Sequence, residues 1–81
     1  MEVSFYNQSV SRKLGFTHIS SLYIDGGLVH TYKAIYHHRT WEAYQYQSVM
    51  KNVIREVLNK PKTFELTAEK IEALKSKLAE L

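Results

Sequence analysis

The chain has 81 residues, a formal charge of +3 from 11 Lys/Arg against 8 Asp/Glu, and no cysteine. A chain this short is expected to fold as one domain with a thin core, which argues against a deep catalytic cleft, and the missing thiols exclude disulfides and thiolate metal sites. No stretch reaches the ~20 apolar residues of a membrane-spanning helix.

In chain order, the opening MEVSFYNQSV carries an acid at Glu2 and no basic start, so no secretory leader is expected and the location read from it is cytoplasmic. Val3 and Phe5 alternate with Ser4 and Tyr6, which predicts a short strand over residues 2–6. After a polar stretch, FTHISSLYI and LVHTYKAIYH flank Asp25-Gly26-Gly27, predicting a hairpin of strands 16–24 and 28–37. A three-residue loop with Gly27 at positive φ suits this sequence. That loop faces Ile24 with Leu28, Leu22 with His30, Ser20 with Tyr32, His18 with Ala34 and Phe16 with Tyr36. This set, richer in large apolar groups, is expected toward the core. Thr17, Ile19, Ser21, Tyr23, Val29, Thr31, Lys33 and Ile35 fall on the other face.

Thr40 is a suitable N-cap for a helix over 41–59, with Glu42 in its first turn and Pro61 just past its end. Ala43, Tyr46, Val49, Met50, Val53, Ile54, Val57 and Leu58 occupy half of its circumference, so this helix is expected to cover the sheet. Phe64 and Leu66 suggest a short extended piece. Thr67 caps a final helix over 68–80, with Leu66 and Ile71 spaced for a hydrophobic staple. Its narrow seam of Ile71, Leu74, Leu78 and Leu81 is expected to finish the core of a monomer; pairing with a second copy is the alternative. The fold class is therefore α+β: a two- or three-stranded antiparallel sheet covered by one long helix, followed by a second, C-terminal helix.

The segment IYHHRTWEAYQYQ gathers four Tyr/Trp, two histidines and an arginine where strand passes into helix. On the helical wheel Tyr46 turns inward, whereas Trp41 and Tyr44 fall opposite the apolar stripe, in line with Ser48, Lys51 and Arg55. An outward tryptophan beside tyrosine and arginine is the composition of a binding hot spot, so Arg39, Trp41, Tyr44, Ser48, Lys51 and Arg55 are the expected partner-binding residues. The competing reading tucks Trp41 under the preceding chain and lays Arg39 on the ring of Tyr44.

No metal is expected from the four histidines, because His37 and His38 point to opposite faces of a strand and His30 lies roughly 26 Å from His38 along it. Neither a nucleophile with its base, nor paired carboxylates, nor a phosphate-cradling loop can be read, so the expectation is a non-enzymatic chain without cofactor. The leading reading is a protein partner. A nucleic acid is the alternative, met by the exposed sheet face with Thr17, Ser21, Tyr23, Thr31 and Lys33 together with the basic helix ridge.

The leaderless start, the turn-centred hairpin YIDGGLVHTYKAIYHH, the Tyr/Gln/Asn-rich helix and the Lys/Glu tail helix resemble, in overall style, the small single-domain accessory proteins of bacteriophages. The resemblance implies a viral protein that works in the host cytoplasm as an inhibitor or modulator, binding a host protein and blocking or redirecting it.

Overall fold

The computed structural model describes residues 1–13, 15–36 and 42–81, the side chains of residues 42–45 excepted. Three ten-residue strands, β1 (Val3–Arg12), β2 (Gly15–Ile24) and β3 (Gly27–Tyr36), are followed by two helices, α1 (Glu42–Asn59) and α2 (Ala68–Glu80). The strands form one antiparallel sheet in the order β1-β2-β3. This is the α+β class, with β2 at the centre and the most buried of the three strands.

The first strand is twice the expected length. Its pairing with β2 runs from Val3 opposite Ile24 to Arg12 opposite Gly15, leaving a two-residue connection closed by Gly15 at φ +112°. The polar stretch after Tyr6 is therefore strand. Its inward residues are polar because they serve polar groups beneath them: Asn7 donates to the Met50 sulfur and Ser9 meets His18 and Tyr46.

The β2–β3 hairpin departs from expectation at its tip. Positive φ falls on Asp25 (50°) and Gly26 (80°), so the loop is a two-residue turn of the kind that matches strand twist, and Gly27 is already strand. Two-residue closure alone would shift every pair by one. A bulge restores the register: Tyr23 faces Leu28 but Leu22 faces His30, so Val29 is the extra residue. From there Ser20–Tyr32, His18–Ala34 and Phe16–Tyr36 pair as expected. The bulge also exchanges two assignments. Leu28, expected in the core, is 62% exposed, and Val29, expected outside, packs against the core. The tip is pinned to the chain start, where Asp25 N–H donates to the Glu2 carbonyl and Glu2 N–H to the Asp25 carboxylate.

The helical layer follows its apolar period. Val49, Val53, Ile54 and Val57 of α1 are fully buried, and α1 lies across β2 and β3. Thr67 caps α2, its hydroxyl accepting from Lys70 N–H at 3.2 Å. Leu74 is fully buried, and Leu78 and Leu81 pack on the same cluster, which joins Leu22 and Ile24 of the sheet to Val53, Ile54 and Val57. Each such side chain contributes about 1.5–3 kcal/mol by leaving water. The expected extended piece at Phe64 and Leu66 is instead a turn: Phe64 N–H donates to the Lys60 carbonyl and Leu66 N–H to that of Pro61, with Glu65 at φ +52°. Phe64 and Leu66 still reach the core from this turn. No helix among the described residues is long and apolar enough to cross a membrane.

Candidate functional site

The binding ridge expected from the sequence falls partly within the described residues. Arg39 and Trp41 lie outside them, as does the Thr40 cap, and for Tyr44 only its place in α1 is described. Ser48, Lys51 and Arg55 are brought together. With Val49, Val53, Ile54 and Val57 turned to the core, these three follow one another at intervals of three and four on the opposite side of α1. They line a shallow depression of about 190 Å³ to which Gln47 adds its amide. Gln47 is the residue that periodicity alone misses; it stands on the flank of the wheel but one helical turn before Lys51, within reach of it.

The chemistry of this depression is two cations, an amide and a hydroxyl on a rigid helix. Ser48 and Lys51 are half-buried and Arg55 is exposed. Among the described residues neither Lys51 nor Arg55 pairs with a carboxylate, whereas Lys75, Lys77 and His30 each stand within 4.0 Å of a glutamate. Unpaired cations held by a helix backbone are poised for an anionic partner, the arginine offering a planar fork and the lysine a mobile point charge. A larger cleft of about 340 Å³ between Met1, Val3 and α2 lacks this character, because the lysine lining it, Lys77, is 3.6 Å from Glu80.

The structure also assembles a polar cluster that could not be read from spacing. The Nδ1 of His18, fully buried on β2, lies 2.5 Å from the Ser9 hydroxyl of β1, and the same hydroxyl meets the Tyr46 phenol of α1. The His18 ring also lies tilted 4.2 Å from that of Tyr46 and edge-on to Tyr36 at 5.2 Å and Phe16 at 4.5 Å. A hydroxyl on an imidazole is the start of a nucleophile pair. Here the serine oxygen is engaged from both sides and the imidazole is walled by rings, an arrangement suited to satisfying polar groups within a core. The second described histidine, His30, lies 3.2 Å from Glu56 and against the Phe64 ring, clamping β3 to α1 and the turn that follows it. Of the alternative nucleic-acid face, Tyr23, Thr31 and Lys33 do stand on the uncovered side, but Thr17 and Ser21 are only 4% and 9% exposed.

No family model, no curated protein and no solved structure matches the chain.

Proposed function

We propose that the chain is a non-enzymatic protein-binding module acting through the outward ridge of α1. Ser48, Lys51 and Arg55, with Gln47, form its described part; Arg39, Trp41 and Tyr44 are the further partner-binding residues expected from the sequence. The single observation that carries this reading is the convergence of two cations, paired with no carboxylate among the described residues, on a depression in a helix face turned away from the core. The partner this chemistry fits is a protein surface bearing carboxylates, with Trp41 as the apolar anchor among them. Following the resemblance to phage accessory proteins, that partner is a host protein met in the cytoplasm.

The test is capture of a partner from host lysate with and without nuclease, followed by affinity measurements on variants. Trp41→Ala is expected to cost less than about 1 kcal/mol in stability and about 2 kcal/mol or more in binding. Arg55→Glu is expected to weaken binding without unfolding the domain. A Trp41→Ala variant that unfolds, or an Arg55→Glu variant that binds as before, refutes the ridge.

One observation favours a nucleic acid as the second reading: no strand residue is acidic, and Tyr6 and Tyr23 share the open sheet face with Arg12 and Lys33. Such a complex would lose affinity steeply with salt, by up to about a thousandfold between about 50 and 200 mM for six or so phosphate contacts. With few cations on that face, weak and nonspecific binding is expected. Sequence-selective duplex binding at physiological salt would exchange the two readings.

A further inference from the structure

Among the described residues, both helices pack on one side of the sheet and nothing packs on the other. Two rungs give the bare side its shape. In one, Val10 and Ile35 flank Thr17; in the other, Tyr6 and Thr31 flank Ser21. Thr17 and Ser21 are nearly covered, whereas Val10, Tyr6 and Ile35 stand 49%, 59% and 62% exposed. The central strand thus offers one notch at Thr17 between apolar rims and a second at Ser21 beside the Tyr6 ring, with the half-buried Ile19 and Tyr23 continuing the apolar surface between and beyond them. Exposed large side chains grouped on one face of so small a chain mark a contact surface.

Charge and size narrow the occupant. Arg12 and Lys33 project from this side, Arg12 held over β2 by its hydrogen bond to Thr17, and no residue of the three strands is acidic. A second copy would bring the same cations with no carboxylate to answer them. A nucleic acid would leave Val10, Leu28 and Ile35 without a role. An α-helix is ~10 Å wide, about the ~10 Å that separates β1 from β3, and ~22 residues of it run ~33 Å, so one helix laid along β2 spans the face.

We infer that the open sheet face docks an acidic amphipathic helix of a partner protein, its apolar side chains seated over Thr17 and Ser21 and its carboxylates toward Arg12 and Lys33. The docked helix turns the two-layer domain into three layers, with the sheet covered on both sides. This face lies across the sheet from the α1 ridge, so the inference neither needs nor replaces the binding proposed there.

The experiment is an NMR titration of the full chain with a synthetic peptide of about 22 residues, leucines at helical spacing and glutamates elsewhere, beside its lysine counterpart and oligothymidylate. The glutamate peptide is expected to become helical, to shift the amides of Tyr6, Val10, Ile19 and Ile35, and to bind at least about tenfold more tightly than the lysine peptide. Lys33→Glu, and separately Val10→Ser with Ile35→Ser, are expected to weaken it about tenfold or more, while Lys75→Glu on α2, a lysine already beside Glu72, leaves it unchanged. Four results overturn the inference: no saturation by the glutamate peptide at millimolar concentration, equal binding of the lysine peptide, preferential shifts with oligothymidylate, or a concentration-dependent dimer burying these amides in the peptide's absence.

Discussion

The layer between sheet and helices has two unlike ends. At the hairpin tip, Leu22 and Ile24 meet Val53, Ile54, Val57 and Leu74 in a buried aliphatic cluster. At the other end, Phe16, His18 and Tyr36 of the sheet gather with Tyr46 of α1, and a serine hydroxyl ties the imidazole to the phenol. The aliphatic end is non-directional and tolerates little loss of volume. The aromatic end is directional, and its energy resides in ring geometry and hydrogen bonds. Stability is therefore expected to concentrate near the tip, while the end from which the chain leaves the sheet depends on a few specific partners.

Substitutions at the two ends and between them test this contrast. The largest effect is expected for Leu22→Ala, fully buried in the aliphatic cluster, at about 2–5 kcal/mol by chemical denaturation. A smaller loss there than at His18→Ala would reverse the assignment of the two ends. Next comes the tip itself. Gly26→Val forces a β-branched residue to φ +80° and is expected to cost about 1–3 kcal/mol. Gly27→Val has no such strain, its Cβ meeting only the Ile24 carbonyl at an ordinary 3.5 Å, so equal costs for the two would contradict the two-residue turn. At the aromatic end, Ser9→Ala removes the hydroxyl shared by His18 and Tyr46. Because that group lies near the surface, the expected loss is about 1 kcal/mol, with a change in the near-ultraviolet dichroism of the rings. The smallest effect is at the midpoint. Ser20 is fully buried between the ends and its hydroxyl has no hydrogen-bond partner among the described residues, so Ser20→Ala is expected to be neutral or stabilising by up to about 1 kcal/mol. A marked loss would reveal a partner for that hydroxyl.

The parts legible in the sequence are those where one periodic rule acts alone. The stripes of α1 and α2 and the Thr67 cap follow from helical spacing, and the β2–β3 pairs follow from alternation around a glycine turn. Residues 7–12 were not legible as strand because Asn7 and Ser9 face inward to polar partners, which erases the hydrophobic alternation by which strands are recognised. Phe64 and Leu66 look extended because both reach the core, yet the turn after Pro61 brings them there by a hydrogen-bonded coil. In the candidate site, Ser48, Lys51 and Arg55 were legible as a helix face. Gln47 and the depression itself arise from side-chain shape, which spacing does not encode.

Val29 settles which side of the sheet each residue of β3 occupies. A strand reads in steps of two, so an extra residue anywhere near its start acts as a frame correction for everything downstream. The two-residue turn sets one frame, the bulge sets it back, and Tyr32, Ala34 and Tyr36 reach the helices only because both are present. Residue count before His30, rather than the chemistry of any one position, is thus the quantity conserved by this hairpin. A chain with one more residue in the turn and none in the bulge would present the same two faces, whereas one that lost Val29 alone would turn β3 inside out.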